Sequence, residues 1–155
     1  MPADHPTPGN SRFFEDYPEG QRFELGSFTV SEEEIIAFAE QYDPQYFHTD
    51  PEKAASGPYG RVIASGWHTV ALMMRLLATR YLDVSALASP GIDDLRWHKP
   101  VFGGDVLSVA VDVTEARRSR SKPDRGIVRS AITVSDKAGE PVMTMTALNM
   151  IRARP

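Results

Sequence analysis

The apolar residues of this chain fall into distinct patterns. A strand-like run comes first, then a helix with one apolar face, a helix with almost no polar face, and four further strand-like runs. Residues 21–30, QRFELGSFTV, are rich in Phe, Thr and Val and predict a strand. Ser31 then opens a helix. Ser31 and Glu34 have the spacing of a capping box, and Val30 is placed to staple onto Ile35. Ile35, Phe38, Ala39 and Tyr42 recur at helical spacing, so one face is expected to be apolar. Pro44 closes this helix, because the residue before a proline is pushed out of the helical region. Asp50-Pro51-Glu52 predicts a short second helix with Asp50 as N-cap. A turn is expected at Gly57-Pro58-Tyr59-Gly60.

From Gly66 to beyond Leu82 the chain has helical length and no breaker. Val70 through Met74, with Leu76, Leu77 and Ala78, leave almost no polar face, so this helix is expected to be buried nearly all round. Strands are predicted at 91–97, 105–116, 126–136 and 141–152, with Val109, Val111 and Val113 facing one way. The last three are joined by turn-rich connectors of hairpin length, which implies antiparallel pairing. One long helix against one curved antiparallel sheet is an α+β layer arrangement. Such a sheet leaves an edge strand, which invites dimerisation.

Composition narrows the function classes. A chain of 155 residues is expected to form one domain, with residues 1–12 as a disordered Pro-rich tail and 13–155 as a single folded unit. Apolar content of 41% and charged content of 25% are those of an ordinary globular protein. The net charge of −4 argues against nucleic acid as the main partner and against adhesion to an anionic membrane. No cysteine is present, so disulfides, thiolate chemistry and cysteine-ligated metals are excluded, which fits the cytoplasm. The first residues lack the features of a signal peptide, and the longest apolar run, five residues from Val70, is too short to span a bilayer.

The chemistry concentrates in Asp43-Pro44-Gln45-Tyr46-Phe47-His48, which places a carboxylate and an imidazole five residues apart just after a helix. On the residues alone, Asp43 reads first as a turn-former and His48 as a hydrogen-bonded structural histidine. Yet a negative charge at a helix C-terminus is unfavourable by about 0.3–1 kcal/mol, which asks for a reason. His48-Thr49-Asp50 is a poor metal site, since Asp50 serves as an N-cap and no third ligand is near. Gly66 opens the apolar helix, where first-turn amides lack partners. Ser65 lacks the setting of a nucleophile elbow. His68 and His98 read as structural or exposed, and Met73 and Met74 as core. The basic run 115–126, with Arg117, Arg118, Arg120, Lys122 and Arg125, reads as a solvated hairpin tip or as a phosphate-binding surface.

Three segments together, FAEQYDPQYFHTDPEKAASGPYG (38–60), RVIASGWHTVALMMRLL (61–77) and LRWHKPVFGGDVL (95–107), resemble the MaoC-like, or (R)-specific enoyl-CoA hydratase, family. The resemblance runs from about Tyr17 to Ile151. Asp43 and His48 keep the spacing of the family's hydratase motif, with Phe47 at its apolar place and Ala54 at its small one. Tyr42, Gln45 and Tyr46 stand where the motif has Gly, Asn and Pro. Ser65 stands where a His is common, and Met74 where some hydratases carry a helix serine.

The resemblance implies a hotdog fold, a five-stranded antiparallel sheet wrapped around one long central helix. It implies a homodimer or higher homo-oligomer and an acyl-CoA thioester substrate, with no metal or redox cofactor. The implied reaction is hydration of an enoyl-CoA, or dehydration of a 3-hydroxyacyl-CoA. Acyl-CoA thioester hydrolysis, or acyl-thioester binding without catalysis, is the alternative. Asp43 and His48 would be the catalytic pair acting on one water, and Gly66 the oxyanion donor.

Overall fold

The computed structural model describes residues 11–155. Of the expected disordered tail, residues 1–10 lie outside this range. Arg12 is described, and it is tied down by its backbone N–H to Asp83 and its guanidinium to the carbonyls of Arg80 and Tyr81.

The elements run β1 (Arg22–Thr29), α1 (Glu32–Tyr42), α2 (Tyr46–Thr49), α3 (Pro51–Ala55), α4 (Gly66–Arg80), β2 (Ala86–Trp97), β3 (Val106–Arg118), β4 (Arg125–Ser135) and β5 (Pro141–Arg152). The five strands form one sheet in the order β1-β3-β4-β5-β2, and every neighbouring pair is antiparallel. This is the α+β architecture expected, with β1 and β2 at the edges.

The side-chain period of a strand places alternate residues on one face. In β4 burial alternates without exception, and Val128, Ile132 and Val134 point inward. In β3, Leu107, Val109, Val111 and Val113 do the same. These side chains form a single core with Met73, Leu76 and Leu77 from α4 and Met143, Met145 and Ile151 from β5. Each such side chain, fully buried, contributes about 1.5–3 kcal/mol. At the far end of α4, Tyr17 donates its hydroxyl to the Tyr81 carbonyl at 2.6 Å, and the Tyr81 hydroxyl meets Ser130 Oγ at 2.7 Å. Burial pushes the Tyr81 hydroxyl up to about 12, so it stays protonated.

Local chemistry explains where the helices begin. Glu34 N–H donates to Ser31 Oγ at 3.1 Å and Ser31 N–H to Glu34 Oε2 at 2.9 Å, closing the capping box. Lys53 N–H donates to Asp50 Oδ1 at 3.1 Å, so Asp50 caps α3.

Four expectations are corrected. Helix α4 is not buried all round: His68, Thr69, Met73, Leu76 and Leu77 face the core, while Trp67, Ala71, Met74 and Ala78 form an exposed stripe. One protomer's sheet covers only one side of a helix. Met74 is therefore not core; it is 42% exposed. Tyr42 leaves the apolar face of α1 and is 66% exposed, so that face narrows to Ile35 and Ala39, with Phe38 half-buried. Finally, β2 starts at Ala86 rather than 91, running through Pro90. An edge strand tolerates a proline, and the pairing with β5 shifts register between Ala88 and Gly91.

Candidate active site

Helix α1 ends at Asp43, whose backbone leaves the helical region at φ −151°, ψ 68°. Its own N–H still reaches the Ala39 carbonyl, and Gln45 N–H reaches the Asp43 carbonyl. The chain then makes one helical turn, α2, which sequence reading leaves without an element. That turn carries His48 inward until it is 5% exposed.

A second segment runs beside α2. Ile63 N–H donates to the Phe47 carbonyl at 3.0 Å, and Ala64 N–H donates to the Val101 carbonyl at 2.8 Å. The 62–65 stretch is thus clamped between α2 and the loop before β3, and it delivers Ser65 and Gly66 to the start of α4. The short loop 98–105 does the clamping, which is why the K-P-V-F-G-G-D turn belongs to the site.

The two segments meet around His48. Its Nδ1 lies 2.6 Å from the Ile63 carbonyl oxygen. A carbonyl can only accept, so Nδ1 carries the hydrogen. That leaves the Nε2 lone pair facing Asp43 Oδ2 at 3.3 Å. Asp43 is held from both sides: Gln45 Nε2 donates to Oδ1 at 2.8 Å, and Ser65 Oγ donates to Oδ2 at 2.7 Å. Burial alone would push this carboxyl up. Donation from Gln45 and Ser65, with the His48 ring beside it, outweighs burial and holds it below its ordinary value. Asp43 is therefore a carboxylate at neutral pH.

A cavity of about 480 Å³ opens on this pair. Asp43, His48 and Gly66 all line it, so the structure brings the three sequence-predicted residues to one place. The N–H groups of His68 and Thr69 bond to the Ser65 carbonyl, whereas the Gly66 N–H has no acceptor among the described residues. With the positive end of the α4 dipole behind it, that amide suits an oxygen gaining negative charge. Gly66 is also needed for space, since a Cβ there would run into the Trp97 indole. Trp97 in turn packs edge-on to Trp67, ring centres 5.2 Å apart, and both line the cavity mouth. Phe47 forms an apolar wall, its ring edge-on to His48 at 4.5 Å.

Sequence reading missed Ser65 and Gln45 as partners of Asp43. Gln45 had a signal, since it occupies a motif position two residues from the aspartate. The other candidates fall elsewhere. Met74 is absent from the cavity wall. His98 is an exposed wall residue with Nε2 on Thr144 Oγ1 at 2.7 Å. His68 is buried and stacked on Phe38 at 4.5 Å, with no hydrogen-bond partner for Nδ1 among the described residues. None of Arg117, Arg118, Arg120, Lys122 and Arg125 lines the cavity, and Arg118 and Arg125 pair with Glu15 and Asp124. Among the described residues, no cluster of three or more His, Asp or Glu could hold a metal ion. No helix among them is long and apolar enough to cross a membrane.

A sheet wrapped on one side of a central helix defines a hotdog fold, and a carboxylate–imidazole pair lies beside that helix's N-terminus. Residues 16–135 match the family model of the MaoC like domain, and the chain belongs to that family. It is 32% identical over 128 residues to the 3-hydroxybutyryl-CoA dehydratase of Methylorubrum extorquens, covering 79% of this chain and 74% of that one. It is 40% identical over 76 residues to 3-hydroxyacyl-thioester dehydratase Z of Mycobacterium tuberculosis, covering 47% of this chain and only 50% of that relative. The crystal structure of the MaoC-like dehydratase from Rhodospirillum rubrum superposes with a TM-score of 0.84 at 36% identity, covering 94% of this chain and 99% of that one.

Proposed function

We propose that this chain is a hydro-lyase that adds water across the double bond of an enoyl-CoA thioester, or removes it from the 3-hydroxyacyl thioester. The observation that carries the reading is the Asp43–His48 pair, 3.3 Å apart, in one cavity with the amide of Gly66. Two relatives named as dehydratases of 3-hydroxyacyl thioesters support it.

A water lying beside the pair, within hydrogen-bond reach of both Asp43 Oδ2 and His48 Nε2, attacks the β-carbon of the enoyl group. The pair takes one proton from that water as the new C–O bond forms. The electron pair of the double bond moves through the α-carbon onto the thioester oxygen, which accepts a hydrogen bond from Gly66 N–H. The pair then returns one proton to the α-carbon, so the net addition is one water. Positioned acid–base groups of this kind contribute about 10²–10⁴-fold. Asp43 and His48 act as one coupled unit in this scheme.

The working form is a homodimer, and the site of action is the cytoplasm, where acyl-CoA is made and consumed. The free edge of β2 and the exposed stripe Trp67, Ala71, Met74 and Ala78 on α4 support the dimer, since both offer surface that a second copy would cover.

The test follows loss of enoyl-thioester absorbance with the purified protein and with Asp43→Asn and His48→Ala. Each variant is expected to lose about 10²-fold or more in kcat. Wild-type turnover in either variant removes the proposed roles.

A further inference from the structure

Ser65 occupies the N-cap of α4, with φ −57° and ψ 137°, yet its side chain caps nothing. A serine in this place ordinarily folds back to accept from the second or third helical amide. Here the third and fourth amides are met by the backbone instead: the Ser65 carbonyl accepts from His68 N–H at 3.0 Å and from Thr69 N–H at 3.2 Å. The hydroxyl turns the other way and donates to Asp43 Oδ2, the oxygen that faces His48.

The contrast between the two partners of Asp43 gives this bond its weight. Gln45 is exposed and sits on the same turn as the carboxylate it holds. Ser65 is fully buried, 22 residues away, and fixed by a clamped segment on one side and a helix on the other. Asp43 itself sits among exposed neighbours, Tyr42, Pro44 and Gln45, at a point where the helix has ended. Among the described residues, Ser65 is its one hydrogen-bond tie to the α4 side of the cavity.

We propose that Ser65 is a positioning residue: its hydroxyl locks the Asp43 carboxylate against the start of α4, setting the distance between the acid–base pair and the Gly66 amide. By turning away from its own helix, the same side chain leaves the amides of Gly66 and Trp67, both residues of the cavity wall, without an acceptor among the described residues. The proposal rests on the hydration reading for its effect on rate, but not for its effect on Asp43 itself. Losing a donor to a part-buried carboxylate makes ionisation harder, so Asp43 should titrate at higher pH when the hydroxyl is gone.

The experiment compares wild type, Ser65→Ala and Ser65→Thr by carbon-13 NMR of the Asp43 carboxyl and by the pH profile of kcat on an enoyl-CoA. In Ser65→Ala the carboxyl titration and the acidic limb of kcat are expected to move together to higher pH. The plateau kcat falls about 10- to 100-fold, the range for a hydrogen bond to a charged group, with KM little changed. Ser65→Thr keeps the hydroxyl and is expected to restore the wild-type titration. A folded Ser65→Ala whose Asp43 titrates as in wild type overturns the proposal, as does a Ser65→Thr as perturbed as the alanine. If Asp43→Asn proves fully active, the hydration reading fails, while the NMR arm still decides what Ser65 does.

Discussion

Gly66→Ala puts the smallest possible group into the site. The backbone of Gly66 is not in the left-handed region, so alanine costs nothing there through its φ angle. The added Cβ is what matters. It would lie only 2.6 Å from Trp97 Nε1 and 2.7 Å from Cδ2, with Cε2 closer still. The indole must move. It is 44% exposed and can swing outward, so the stability cost should sit near the lower end of the about 1–3 kcal/mol typical of overpacking. The rate should suffer more. A methyl group beside the amide keeps a thioester oxygen from reaching it, and losing one oxyanion donor costs about 10²–10³ in kcat, or roughly 2.7–4 kcal/mol of transition-state stabilisation.

The assay is kcat on an enoyl-CoA, with thermal melting alongside, for Gly66→Ala, Trp97→Ala and the double variant. Removing the indole should relieve the clash and recover the melting temperature of Gly66→Ala relative to Trp97→Ala. It should not recover kcat, because the methyl still covers the amide. A double variant with the kcat of Trp97→Ala alone would place the damage in the displaced tryptophan. Wild-type kcat in Gly66→Ala refutes the oxyanion role outright.

Two more outcomes test the account away from the chemistry. His68 is buried neutral, and burial lowers its pKa from 6.5 despite the opposing charge of Glu34. As pH falls through 6.5, the unfolded chain takes up the proton first, so stability is present above that pH and drains away until the folded pKa is passed. His68→Leu should lose less stability on acidification over that window in urea titrations, and identical pH dependences contradict the assignment. Met74→Lys puts a charge into the exposed stripe of α4; sedimentation should find wild type dimeric and the variant monomeric, since an unpaired buried charge costs several kcal/mol. A monomeric wild type contradicts the dimer.

Much of the fold is legible because its signals are local. The Ser31–Glu34 box and the Asp50 cap depend on residues three apart, and both form as read. The alternation of Val109, Val111 and Val113 is a property of one strand, and all three are buried. The misreadings share a different cause. Tyr42 has the right spacing for the apolar face, but Phe38 stacks on His68, and the buried face ends before the last turn. Met74 reads as core because hydrophobic pattern cannot tell a face covered by the protomer's own sheet from one left exposed. The start of β2 is missed because residues 86–90 pair with β5 through register shifts and include Pro90, which an edge strand tolerates. In the site, the spacing of Asp43 and His48 and the glycine at the helix start can be seen in the chain. Ser65 cannot, because serine before a helix signals a cap, and only the approach of a segment 22 residues away redirects its hydroxyl.

The most direct measurement is the fate of heavy-oxygen water. Purified protein is incubated with an enoyl-CoA in labelled water, and the products are weighed by mass spectrometry. The account predicts a 3-hydroxyacyl-CoA with the thioester intact and a single heavy oxygen at the β-carbon, formed by wild type and nearly abolished in Asp43→Asn. Label in a released carboxylic acid with free coenzyme A, or no labelled product at all, contradicts it.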